Sequence, residues 1–172
     1  MMNLSLIKEE YPDDYERYIS LVSEGNVVDH LAKQLETTNS LLSLLTETQA
    51  NYRYAPEKWS VKEVIGHIAD TERIMSYRLL RLVRGDQTPL AGFDQDLYVQ
   101  AAGFALRPLP DLLEDLTMVR RSTLMLLRGL QEEAWMSRGI VNDHHFSVRA
   151  LAYIIAGHEL YHVKLIKEKY LP

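Results

Sequence analysis

Apolar residues recur every three or four positions along most of the chain, which is the spacing of helices that bury one side. After a short opening segment, PDDYERYISLVSEG, a first long helix is predicted from about Val27 to Leu45. Its stripe of inward positions consists of Val27, Leu31, Thr38, Leu41, Leu42 and Leu45. The next stretch, TETQANYRYAPEKW, is predicted to be a loop because Pro56 cannot continue a helix.

A second helix is predicted from the motif SVKE to about Arg84. Ser60 can cap its first turn while Glu63, three residues later, reaches back to complete a capping box. Gly85 suits the end of the helix because glycine tolerates the left-handed conformation found there. The inward stripe of this helix consists of Val61, Val64, Ile65, Ile68, Met75, Leu79 and Leu82.

Two further helices follow a long connection, GDQTPLAGFDQDLYVQAAGFALRPLP, in which DQDLYVQAA is predicted to form a short helix. The third long helix begins near Pro110 and ends near Gly129, and Ser147 is predicted to cap the fourth. No stretch indicates a convincing strand, so the linker QEEAWMSRGIVNDHHF is predicted to be irregular. Four amphipathic helices predict one all-α domain over residues 1–172, folded as a four-helix bundle.

Composition narrows the functional classes. The formal charge of −5 argues against a nucleic-acid partner, which requires a basic face. No apolar run reaches the roughly 18 residues that span a bilayer, and the N-terminus lacks the pattern of a signal peptide. The chain has no cysteine, hence no disulfide, thiolate ligand or cysteine nucleophile. We expect a cytoplasmic protein without a membrane partner.

The histidines differ in their positions relative to the helical stripes. His158 and His162 lie one turn apart on the inward arc of the fourth helix, a spacing that lets two imidazoles share a metal. His67 lies on the flank of the second helix's stripe and can supply a third ligand if these helices are neighbours. The alternative is that all three are core histidines bonded to carbonyl or carboxylate groups. His144 and His145 are predicted to be solvated, and His30 to be a partly buried non-ligand.

Three neutral imidazoles would hold a divalent ion and leave positions open for water or substrate. Nitrogen ligands suit zinc, nickel or another first-row ion. Among the carboxylates, Glu72 and Glu159 point inward by periodicity. They are candidates for orienting a ligand imidazole or for acting as a general base, with a salt bridge to an arginine such as Arg73, Arg78 or Arg81 as the alternative. Asp94 and Asp96, in the long connection, are weaker catalytic candidates and are more simply explained as solvated acids.

Two segments in this order, EKWSVKEVIGHIADTERIMSYR and SVRALAYIIAGHELYHVKLIKEKYL, resemble the DinB/YfiT-like family of metalloproteins. The loop GFDQDLYV is also similar to members of this family, and the resemblance extends from about Tyr15 to Leu171. It implies a bundle with up-down-down-up order, which suits the long central connection. It also implies a zinc or nickel site formed by His67, His158 and His162.

The resemblance further implies a homodimer acting on a small molecule. Family members with an assigned activity include S-transferases that use bacillithiol or mycothiol and a maleylpyruvate isomerase that uses mycothiol. The first hypothesis is therefore an enzyme whose metal activates a low-molecular-weight thiol or a water. The second is a non-catalytic module for stress response or ligand binding, in which the ion staples two helices. Trp59 and the connection would then seal the ion from small molecules.

Overall fold

The computed structural model describes residues 8–171, and its elements are numbered in chain order. The α-helices are α1 (Glu16–Ile19), α2 (Val27–Leu42), α3 (Glu47–Ala50), α4 (Val61–Val83), α5 (Gln95–Ala102), α6 (Leu109–Arg128) and α7 (Val148–Lys169). The strands are β1 (Arg138–Val141) and β2 (His144–Ser147). Short 3-10 turns occupy Lys8–Glu10, Asp13–Tyr15, Phe104–Leu106 and Glu132–Met136. None of the described helices is long and apolar enough to cross a bilayer.

The four long helices form a bundle in which α4 and α2 each pack between α6 and α7. One apolar cluster joins the start of α2 and α7 to the end of α4 and α6. A second cluster joins the end of α2 and α7 to the start of α4 and α6. The order is therefore up-down-down-up, as the resemblance implied. Because α4 and α6 run parallel, the chain must return along the bundle between them, which explains the long connection.

The helix predictions are confirmed within a few residues, and the inward stripes of α4 and α7 are buried throughout. The first helix ends at Leu42 rather than Leu45. The expectation of an irregular loop after it is wrong in part, because α3 forms there behind a Thr46–Gln49 capping box. The short helix in the connection is present as α5, with Asp94 as its N-cap.

The prediction that the chain contains no strand is wrong, because β1 and β2 form an antiparallel hairpin. Both turn residues, Asn142 and Asp143, have positive φ, which gives the twist that two-residue hairpins favour. The hairpin holds the long connection in place: the Leu90 amide donates to the Ile140 carbonyl, and the Asn142 amide donates to the Leu90 carbonyl. Strands of four residues give too short an alternation to be distinguished from a linker.

The predicted capping box at the start of α4 is present. Ser60 Oγ accepts from the Glu63 amide at 3.3 Å, and the Ser60 amide donates to Glu63 Oε2 at 2.6 Å. This box fixes the first turn of the helix that carries His67.

We expect Ser60→Ala to lower the free energy of unfolding by about 1 kcal/mol, because the amides of the first turn lose their acceptor. Chemical denaturation measures the change. Ser122→Ala, at an exposed position inside α6, is the matched control and should be close to neutral. Equal stability of the two variants would contradict the assigned role of the cap.

Candidate metal centre

Three imidazoles meet where α4 faces the antiparallel α7. His67 extends from the second turn of α4, and His158 and His162 extend from adjacent turns of α7. All three are buried, and they offer ligand atoms that lie within 4.8 Å of one another. The Nε2 atoms of His67 and His158 are 3.0 Å apart. Among residues 8–171, this is the one group of three or more His, Cys, Asp or Glu side chains positioned to share an ion.

Burial keeps these imidazoles neutral. It lowers the pKa of His67 to about 4 and that of His162 to about 3. The pKa of His158 falls well below its usual value, chiefly through burial and further through His162, His67 and Arg17. Neutral imidazole is the form that binds a metal, so the fold holds the three side chains ready for coordination.

The rings around the triad limit how the imidazoles can turn. Trp59 packs on His67 with ring centroids 4.8 Å apart. Tyr18 meets His158 edge-on at 5.3 Å, and Tyr161 meets His162 edge-on at 5.2 Å. Trp59 thus packs directly on a candidate ligand.

The donor set fits a divalent ion. Within the described residues, His162 Nδ1 is buried and has no hydrogen-bond partner. His67 and His158 direct ring nitrogens at each other, and Thr71 Oγ1 lies 3.4 Å from His67 Nδ1. Three neutral nitrogen donors gathered in this way match the ligand number of catalytic zinc sites, in which a further position stays open.

The two inward carboxylates have a partner that the sequence did not identify. Arg120 Nε and Nη2 donate to Glu72 at 2.8 and 2.7 Å, and Nη2 also donates to Glu159 Oε2 at 2.5 Å. Arg73, Arg78 and Arg81 were the wrong partners, because Arg73 and Arg81 pair with aspartates and Arg78 donates to a carbonyl. We call Glu72, Arg120 and Glu159 the ion cluster.

The ion cluster also changes the expected role of its carboxylates. Thr38 Oγ1 donates to Glu159, and Arg120 Nη1 donates to the carbonyl of Leu31, so the cluster faces α2 and α6. It is Thr71, rather than Glu72, whose side chain lies near the second ring nitrogen of His67. Glu72 and Glu159 therefore neutralise Arg120 in the described structure, and neither lines the cavities at the triad.

Asp94 and Asp96 are both exposed, as expected for solvated acids of the connection. Asp94 accepts from the amides of Asp96 and Leu97 at 2.9 and 3.1 Å, so its carboxylate caps α5. Asp96 lines a cavity beside His162. The connection thus reaches the site, and one of its two predicted acids does so too.

Two cavities reach the triad from different sides. The first, the His67 cavity, has a volume of about 280 Å³ and is lined by His67 and His158. The second, the His162 cavity, has a volume of about 250 Å³ and is lined by His162 and Trp59. Both include exposed residues in their walls, so both cavities open toward solvent.

The other histidines follow the sequence-based expectations in part. His144 and His145 are exposed, and His30 lies against Gly25, away from the triad. His144 nevertheless lines the His67 cavity. The sequence reading missed the contribution of the opening segment, whose Arg17 and Tyr18 line both cavities. The only available signal was two aromatic residues beside a basic one in a segment without a helical stripe.

Comparison with known proteins agrees with this architecture. The structure of YfiT from Bacillus subtilis superposes with a TM-score of 0.72 at 16% sequence identity, covering 96% of this chain and 91% of that one. YfiT is described as a probable metal-dependent hydrolase with an unusual four-helix bundle topology. No curated protein sequence is significantly similar to this chain. The family model of the DinB superfamily matches residues 30–166, and the chain therefore belongs to the DinB superfamily.

Proposed function

We propose that this chain is a metal-dependent enzyme acting on a small molecule. His67, His158 and His162 hold one divalent first-row ion, with zinc or nickel favoured by an all-nitrogen ligand set. The observation that carries the proposal is that the triad is buried yet bordered by two cavities. An ion that only stapled α4 to α7 would not need either cavity.

A zinc ion held by these residues would lower the pKa of a coordinated water to about 7, and a zinc or nickel ion would bind a thiol as its thiolate. The three histidines supply the ligands in neutral form, and Trp59 and Tyr18 exclude bulk water from the sides of His67 and His158. Glu72 and Glu159 keep Arg120 neutralised and do not compete for the metal.

Water is the nucleophile that we favour. Each cavity is below the lower end of the range for drug-sized ligands, about 300 Å³, which suits a small substrate. The likeness to YfiT, described as a probable hydrolase, supports the same choice. Thiol transfer is the second candidate because a chain without cysteine would receive its sulfur from a cofactor.

Elemental analysis of protein purified without an affinity tag tests the metal site. We expect about one divalent ion per chain in the wild type and little bound metal in His158→Ala, because only two imidazoles remain to hold the ion. His145→Ala, which removes an exposed histidine, is the control and should keep the ion. Wild-type protein that stays metal-free after incubation with zinc or nickel would overturn the proposal.

Turnover assays separate the enzyme from the non-catalytic module. The zinc- and nickel-loaded proteins are given p-nitrophenyl acetate alone, and separately monochlorobimane with cysteine as the thiol. Metal-dependent ester hydrolysis without thiol supports the hydrolase, whereas turnover only with thiol supports the transferase. A metal-loaded protein that is inactive in both assays, and toward wider panels of esters and of thiol–electrophile pairs, would favour the non-catalytic module.

Sedimentation analysis tests the homodimer, which we propose from the family resemblance.

A further inference from the structure

We infer that the substrate carries a carboxylate and that Arg17 binds it, as a specificity-determining residue at the mouth of the metal centre. The inference rests on the proposed function, since it concerns the substrate of the same site. Arg17 lies in α1, outside the four bundle helices, and is exposed.

The position of Arg17 connects the two cavities. Its side chain lines both the His67 cavity and the His162 cavity, together with those of Tyr18 and Gln95. The Arg17 guanidinium carbon lies 4.7 Å from the centre of the Tyr18 ring, and that ring in turn meets His158. A group bound to Arg17 would therefore lie one aromatic ring away from a candidate ligand, whichever cavity it entered.

Arg17 has no carboxylate partner among the residues that the structure describes. Within residues 8–171, the Arg17 guanidinium forms no ion pair with a carboxylate. The buried arginines Arg120 and Arg149 are, by contrast, engaged by glutamates. The guanidinium of Arg17 thus remains available to a planar anion, which such a group binds through two parallel hydrogen bonds.

A bound metal ion would also favour an anionic substrate. Three neutral imidazoles leave a bound divalent ion with its full charge, and both inward glutamates are taken up by Arg120. Arg17 would add its own positive charge, since its guanidinium stacks on Tyr18, whose ring meets His158. A substrate carboxylate would offset the positive charges of the bound ion and of Arg17.

Neighbouring acids favour a carboxylate over a phosphate. Asp14 lines the His67 cavity, and Asp96 and Glu57 line the His162 cavity. They would repel a doubly charged phosphate more strongly than a singly charged carboxylate. Lys58 lines the His162 cavity alone, and Arg17 is shared by both cavities, so the shared position offers one positive charge to one carboxylate.

The segment that carries Arg17 is held firmly against α7. Tyr18 and Ile19 are buried, and the backbone of Tyr18 lies directly over Gly157, next to His158 in the chain. The backbone of Arg17 therefore has a fixed position relative to the triad, and its guanidinium lies at the cavities.

Calorimetric titration of the zinc-loaded protein with paired metal-binding probes tests the inference. Succinic and glutaric monohydroxamates carry a terminal carboxylate, and butyro- and valerohydroxamates are their uncharged counterparts. Of the two carboxylated probes, we expect the one that binds wild type more tightly to bind about tenfold more tightly than its uncharged counterpart, because a charge-assisted hydrogen bond forms. Arg17→Met should abolish that preference and leave the affinity for the uncharged probe within about twofold. Arg17→Lys should retain part of the preference.

The outcomes distinguish this inference from the proposed function. Arg121→Met, which removes an exposed arginine of α6, is the control and should bind all four probes as wild type does. Equal affinity for both members of each pair in metal-loaded wild type would overturn the inference alone. Retention of the preference in Arg17→Met would do the same. A wild type that takes up no metal and binds no hydroxamate would overturn the proposed function, and this inference with it.

Discussion

Arg120→Met is expected to lower the free energy of unfolding by about 3–5 kcal/mol, because it breaks a buried ion pair by removing one partner. Arg120 is 1% exposed, and the variant would leave Glu72 and Glu159 buried without their cation. The pKa of Arg120 lies above its usual value, because the two carboxylates more than offset the lowering caused by burial. Chemical denaturation monitored by circular dichroism measures the loss.

Two further variants test the cause of that loss. Arg121→Met removes the same charge from the neighbouring exposed position and should change stability by no more than about 0.5 kcal/mol. The triple variant Arg120→Met, Glu72→Leu, Glu159→Leu removes the whole ion cluster and should regain much of the stability, since no buried charge is left unpaired. If Arg120→Met proved as stable as Arg121→Met, the ion cluster would have no stabilising role.

Gly157→Ala is expected to destabilise the protein by about 1–3 kcal/mol, because the new methyl group has no space. A Cβ at this position would lie 2.1 Å from the carbonyl oxygen of Tyr18 and 2.4 Å from its carbonyl carbon. These are backbone atoms, so α1 must move away from α7 to relieve the overlap. The displacement would also shift Arg17, so the preference for carboxylated hydroxamates should weaken along with stability.

Gly129→Ala is the matched control for this exchange. The nearest atoms to a Cβ at Gly129 lie 3.6 Å away, and its φ of −85° is open to alanine. We expect no loss of stability in this variant by the same denaturation measurement. A Gly157→Ala protein that unfolds at the same denaturant concentration as Gly129→Ala would contradict the close packing of α1 on α7.

The sequence alone was sufficient to predict the bundle and the grouping of the three histidines, because both depend on helical periodicity. The inward arc of α7 runs through His158 and His162, and the burial of that arc follows from its apolar neighbours. Their ligand role stays a prediction that the elemental analysis tests. The hairpin was missed because its strands are short and its turn uses Asn142 and Asp143 rather than glycine.

The partner of Glu72 and Glu159 was missed although a signal existed. Arg120 lies two helical turns from Leu113 and from Leu127, in the middle of the buried stripe of α6, where an arginine requires a partner. The role of Arg17 had no comparable signal. Periodicity describes how a helix faces the core, whereas Arg17 and Gln95 reach the cleft from short helices whose location depends on tertiary packing.

The parallel course of α4 and α6 has a consequence for how such a protein can diversify. The return of the chain between them brings α5 and Gln95 to the cleft, while the three histidines lie on α4 and α7 alone. Insertions and exchanges in the returning segment can therefore reshape the wall that meets the substrate and leave the ligands in place. The topology thus separates the three candidate ligands from part of the cavity walls, which makes residues 85–108 a suitable region to randomise when selecting variants that bind other small molecules.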